Sequence, residues 1–482
     1  MEISLPSEIL TSDKTPRTAV AIDRTSGVKQ KADTAREVLL VGQMLSTAVV
    51  AAATPTQLLR EDDGANYFGA RSIIDIACRA AFKANPFVKL SAVGIADAGT
   101  KATATVTFST TATGNTVYRL RIAGKEVAID IATGDTATVI GDALVAAINS
   151  TAVTLPVSAA NSSGTVTLTA KNGGTVGNGI KLAGAFDANV TTTAALSASA
   201  LSGGSGAVTI TTALAACASK RYHEIALLLD DSTSGGAVKS HVNTEGDAEH
   251  GHGEHCWQAV NGSLSTNTTL SLALNGLRNI VLSTNASESW SVEIAAAAAA
   301  AASRVETTTQ PLNNLVLEGI LPPPIASRWT RTETRTLIDN GCSPLVVLPG
   351  EQVAFSRVVS TGVKNSSGDW DYSLLDVPKL RGLDYFRDNL VLMFNTNYSA
   401  SRWADEDPDG LLPTDVATPE KVKVDLIDVA REMEGLGVLQ RVSKYEDEFV
   451  VEKRGSACYF SCPAAVVDGM HERLGKIVYK LG

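Results

Sequence analysis

The sequence lacks the basic excess that a nucleic-acid-binding surface requires: 41 Lys and Arg stand against 51 Asp and Glu, a net charge of −10. Neutralising phosphates supplies most of the affinity for nucleic acid, so this balance argues against that class of partner. The acidic excess names no partner of its own and mainly favours solubility. Long hydrophobic runs are also missing. The longest in the second half, 295–302, falls far short of the roughly 20 apolar residues that cross a bilayer. Residues 1–17 hold no apolar stretch of signal-peptide length, so the chain is expected to be cytosolic when made, without direct membrane insertion. Cysteine is sparse and scattered. Cys78, Cys217, Cys256, Cys342, Cys458 and Cys462 read as free thiols of a reducing compartment, and the C-x3-C pair Cys458/Cys462 has no second pair to complete a zinc site.

Catalytic signatures are absent too. No G-x-S-x-G elbow occurs, and Gly177–Lys181 lacks the spacing and the Ser/Thr of a phosphate loop, so it reads as a turn. Chance Ser/His/Asp triples are easy to draw among six histidines and carry no weight. The one cluster with ligand chemistry is His250, His252, His255 and Cys256, with His241 upstream and acidic Glu245, Asp247, Glu249 and Glu254 among them. Imidazole and thiolate suit zinc, but Gly251 and Gly253 point to a solvated loop without helical i, i+4 ligand pairs. The expectation is no catalytic residue, no cofactor and no metal, with those four as the weak metal candidates.

What is present is alternation of buried strands and helices. Apolar runs at 37–42, 88–95, 224–229 and 279–283 have the near-continuous Val/Leu/Ile of strands covered on both faces. Helical periodicity runs over 65–84, ended by Asn85-Pro86, and over 211–220; the alanine tract 295–302 is the best helix former available. Between the second and third strands the composition turns to Thr, Ala, Gly and Ser. Period-two alternation at 103–108, 118–122, 126–131 and 165–169, with a helix at 138–149, marks an inserted β-rich module on two flexible Gly-Ser linkers. Residues 321–324 form a stiff proline spacer, Asn340-Gly341 is the turn signal of an antiparallel pair with 353–359 among its strands, and 384–395 and 419–434 are two amphipathic helices, the second with Thr418 as N-cap.

The fold class is therefore α/β plus an inserted β-rich domain and an α+β C-terminal domain. The divisions are 1–35 (arm and linker), 36–98 and 207–320 (α/β core), 99–206 (insert), 321–446 (C-terminal domain) and 447–482 (C-terminal arm). On length alone roughly three domains are expected. Both ends carry alternating strands with no neighbour to pair with: Thr18, Val20 and Ile22, then Phe449, Val450 and Val451, Tyr459 and Phe460, and Ile477, Val478 and Tyr479. Such strands either dock on their own subunit or add to the sheet edge of another.

The segments 317–328, 385–388, 416–420 and 447–452, together with 36–43, 83–86 and the turn 168–179, resemble the tail sheath proteins of Mu-like bacteriophages. The resemblance runs in order along nearly the whole chain; 231–261, rich in His and Gly, departs from it. It implies a structural subunit, located in the virion tail and assembled in the host bacterial cytoplasm, that stacks as six-membered rings around a tail tube and contracts. The implied partners are further copies, the tube protein, and baseplate and tail terminator proteins. It also implies that terminal arms lend strands to neighbours, and that the subtilisin-like label of such α/β layers is a fold analogy without activity. A phage-derived bacteriocin or injection particle uses homologous sheaths and stands as the alternative. A hydrolase-like enzyme would need a nucleophile that is not found, an adhesin an export signal, and a tube protein a much shorter β-barrel.

Overall fold

The computed structural model describes residues 36–150, 153–187, 192–305, 308–406, 412–413 and 415–471. The strand candidates Thr18, Val20, Ile22, Ile477, Val478 and Tyr479 lie outside them. The described residues divide into two compact units, one of 36–384 with 433–442 and 464–471, the other of 385–432 with 443–463.

The larger unit is built on an eight-stranded sheet. Its spatial order is Gln352–Phe355, Cys342–Leu348, Asn279–Thr284, His255–Asn261, Glu224–Leu227, Glu37–Gln43, Lys89–Ile95 and Thr56–Leu58. The six inner strands are parallel and the two outermost pair antiparallel. The helix Ile73–Ala84 packs on Ser291–Ser303, and a separate group holds Thr211–Cys217, Ser232–Glu245, Leu264–Leu274 and Arg331–Asp339. Helices on both faces explain why the inner strands are buried at almost every position rather than at alternate ones. Ala295–Ala302 are all at most 1% exposed: methyl side chains let this helix sit between the sheet and its partner helix without bulk to accommodate.

Several sequence expectations change here. The helix expected over 65–84 is two, Asp63–Phe68 and Ile73–Ala84, because Gly69 (φ 93°) and Arg71 (φ 67°) adopt left-handed backbone. Ser72 then caps the second, accepting from Asp75 N at 3.1 Å. Asn340-Gly341 is no hairpin turn; it ends the helix Arg331–Asp339 and feeds the strand Cys342–Leu348, while the hairpin turns at 349–351. That strand and Gln352–Phe355 extend the main sheet, so the sheet does not stop at residue 320. The loop expected at 250–256 is present only as far as 254, where the central strand His255–Asn261 begins; upstream, 231–261 also holds the helix Ser232–Glu245, capped by Asp231.

The insert has the expected strands and helix. One sheet orders Ala194–Leu196, Thr103–Phe108, Thr165–Ala170 and Val157–Ser162; a second orders Lys125–Ile131, Thr116–Ile122 and Leu182–Phe186, all antiparallel. Tyr118 packs between Phe108 and Phe186, with ring centroids 5.3 and 4.9 Å away. Its linkers are not flexible. They pair with each other, Thr100 N donating to Ser205 O at 2.7 Å and Thr103 N to Ser202 O at 2.8 Å. They close around Gly173-Gly174, where a Cβ on Gly173 would stand 2.4 Å from Gly99 O. Asn172 accepts from Ile73 N at 3.0 Å, and Trp290 Nε1 donates to Val176 O at 3.0 Å. Insert and α/β layer consequently share one hydrophobic core.

The smaller unit contains the later part of the helix Val377–Asn397, most of the helix Pro419–Gly435, a short parallel bridge of Arg402–Trp403 with Val416–Ala417, and a two-stranded hairpin. Thr418 Oγ1 accepts from Lys421 N at 3.3 Å, the cap expected from the Thr-Pro-Glu signal.

Candidate assembly surfaces

Val450–Arg454 and Ala457–Ser461 pair antiparallel, with Val451 opposite Phe460 and Glu452 opposite Tyr459. The strands expected to lack a neighbour in their own chain are thus each other's partner. Gly455 (φ 61°) supplies the positive φ that a two-residue hairpin turn needs. Phe449, just upstream, is buried. One face of the hairpin packs on its own unit: the Phe460 ring lies 5.0 Å from Phe394, and Lys453 Nζ 3.0 Å from Asp405. The other face presents Val450 and Tyr459, 47% and 52% exposed, with the Arg454 guanidinium 4.6 Å from the Tyr459 ring. Among the described residues neither strand has a second neighbour. Each outer edge therefore offers backbone N–H and C=O groups to an incoming strand.

The ends of the described chain are held by polar side-chain contacts. Arg36 Nε lies 2.6 Å from Glu224, a fully buried carboxylate that also accepts from Arg381 at 2.7 Å and from Trp257 Nε1 at 2.6 Å. Burial pulls the Arg381 guanidinium down to about 10, against the favourable field of Glu224, so it stays charged at neutral pH. At the other end His471 sits between Asp376, 3.3 Å from Nε2, and Asn313, 3.0 Å from Nδ1. Sequence reading missed Glu224, Arg381 and the bidentate Arg278–Asp384 pair (2.7 and 2.8 Å). The available signal was an acid opening an otherwise apolar strand at 224–229.

The four metal candidates are brought to different environments. His250 is exposed and contacts Asp247 at 3.1 Å, which raises its pKa. His252 contacts Glu245 at 3.0 Å. His255 and Cys256 are consecutive residues of a buried strand, so their side chains take opposite faces. Both ring nitrogens of His255 lack a hydrogen-bond partner among the described residues, and burial holds the imidazole neutral. No group of three His, Cys, Asp or Glu suited to a metal occurs among the described residues. The thiols are poorly disposed to act as nucleophiles: burial pushes Cys78 and Cys217 up to about 12, Cys342 to about 11, and Cys256 further. A cavity of about 380 Å³ between insert and α/β layer is lined by the cations Arg79, Lys83 and Lys125, of which Arg79 is paired with Asp75 and Asp62 and Lys125 with Glu293. No described helix is long and apolar enough to cross a membrane.

Comparison with known proteins fits this picture. Residues 203–361 match the model of the phage tail sheath protein central domain. The match runs through 231–261, the stretch that looked divergent by composition and that folds into a helix and a central strand. The chain is 25% identical over 450 residues to the Mu-like prophage FluMu tail sheath protein of Haemophilus influenzae, covering 91% of each. Its fold is similar to the crystal structure of the sheath tail protein from Desulfitobacterium hafniense, with 16% identity, 94% and 97% of the two chains covered, and a TM-score of 0.51. The chain thus resembles phage tail sheath proteins in sequence and in fold along nearly its whole length.

Proposed function

We propose that this chain is a structural, non-enzymatic subunit of a contractile tail sheath, polymerising as stacked six-subunit rings around a tail tube. The observation that carries the reading is the similarity to a tail sheath protein over 91% of the chain, joined to a surface hairpin whose two outer edges have no neighbour among the described residues. In this reading the terminal segments bearing Thr18, Val20 and Ile22, and Ile477, Val478 and Tyr479, lend strands to neighbouring copies. Phe449, Val450, Val451, Tyr459 and Phe460 belong to the receiving hairpin. Contraction brings subunits into closer contact, and each Å² of apolar surface newly buried contributes roughly 25 cal/mol before ordering costs. The tube, the baseplate and the tail terminator are the other partners; the assembled protein resides in the virion tail after assembly in the host cytoplasm.

Negative-stain electron microscopy of the purified chain, alone and with tube protein, tests this. Hollow striated tubes of uniform width are expected. Deleting 1–23 should leave folded monomers and abolish long polymers. Discrete particles in both mixtures, or normal polymers from the deletion, would count against the sheath and the arm assignment respectively.

A further inference from the structure

The two ends of the described chain are tied to one short piece of helix. Arg36 and Arg381 donate to the same oxygen of Glu224, at 2.6 and 2.7 Å, and the three side chains are 7%, 2% and 0% exposed. At the C-terminal end, Lys379 lies 2.5 Å from Asp468, and His471 lies 3.3 Å from Asp376. Asp376 is itself held by Arg357 through two contacts of 2.8 Å. Between those contacts the backbone is docked as well, Gln440 N donating to Ala465 O at 2.8 Å and Val467 N to Val438 O at 3.0 Å. Asp376, Lys379 and Arg381 fall at the start of the helix Val377–Asn397. One turn further on, Asp384 is locked to Arg278 by two buried hydrogen bonds.

We infer that residues 376–384 are a shared anchor that couples the roots of both chain ends. The reason is the sharing itself. Arg36 cannot leave Glu224 without stripping that buried carboxylate of one of its two cations, which shifts how Arg381 is held. A helix turn moves as a unit, so a displacement at Arg381 is carried to Lys379 and Asp376 and from them to 464–471. The inference deepens the sheath reading: ends that join neighbours would pass load to each other through one helix turn rather than across the sheet.

Hydrogen–deuterium exchange of the full, unpolymerised chain tests it, independently of whether sheaths form. Arg381→Gln should speed exchange roughly tenfold in peptides covering both 37–43 and 464–471, the scale of one lost charge-assisted hydrogen bond. Arg36→Met, which touches only the first end, should also speed exchange in 464–471. The insert strand Thr165–Ala170 serves as the control that must not change. Faster exchange confined to 37–43 in both variants overturns the coupling. Where the control peptide also accelerates, Asp376→Asn replaces the failed variant. Acceleration at 37–43 then supports the anchor, and acceleration at 464–471 alone rejects it. Microscopy of the 1–23 deletion can fail while this coupling stands, and the reverse holds equally.

Discussion

A carboxylate shut away from water must be neutralised where it stands, and Glu224 is met by two guanidinium groups and an indole N–H. Removing its charge leaves Arg36 and Arg381 underneutralised in a dry site. Glu224→Gln is expected to lower stability by about 3–5 kcal/mol, read from the urea unfolding midpoint. A loss under 1 kcal/mol would mean that water reaches the site. Histidine gives the pH response. Burial lowers His223 to about 2 and holds His255 well below its usual range, so both are neutral when folded but protonate near 6.5 when unfolded. Their contribution is complete above pH 6.5 and is lost as pH falls, at about 1.4 kcal/mol per pH unit for each. Asp230, raised to about 6 by burial, works the other way between about 6 and 3.8 and offsets one of them. Unfolding midpoints at pH 7 and pH 5 should therefore show net acid destabilisation, and His255→Gln should reduce that slope by about 1.4 kcal/mol per unit.

Among the elements, the junction between insert and α/β layer departs most from its composition. A Gly-Ser-rich pair of linkers suggests free tethers, yet here the two segments pair with each other and pack against Gly173 so tightly that no side chain fits there. Gly173→Ala should force this junction open. Its expected signature is rapid protease cleavage near 98–101 and 202–206, where the parent chain resists. Equal resistance in both would show that the junction yields without opening. The alanine helix gains its place by the same logic, since backbones approach closely only where side chains are small.

At the scale of the molecule, the hairpin Val450–Arg454/Ala457–Ser461 is the assembly surface proposed above. Val450 and Tyr459 lie on its exposed face and contribute little to their own unit. Changing both to Lys should leave the melting temperature within about 2 °C, as surface changes generally do. Charge placed on both sides of the edge should nevertheless suppress polymers in the electron microscope. Normal tubes from the double variant would move the contact elsewhere.

Local chemistry was enough to place the strands at 37–43, 89–95, 224–227 and 279–284, the alternating strands of the insert and the Thr418 cap. In each case the pattern is written in consecutive residues. A strand buried on both faces needs an unbroken apolar run, and one buried on a single face needs alternation. The sequence motifs also sufficed to suggest the sheath family. What local chemistry did not reveal depends on distant partners. The loop read at 250–256 runs into a buried strand, His255–Asn261, whose Gln258 Nε2 donates to the distant Leu229 O and Asp231 O, at 3.0 and 2.9 Å. The 450–461 strands looked unpaired although Gly455-Ser456 between them forms a two-residue hairpin turn. The ion pairs of Glu224 join residues 188 and 157 positions apart. Composition reports how much a segment wants to be buried; only the folded chain decides which groups meet there, because neutralising a buried charge depends on distance in space and not along the sequence.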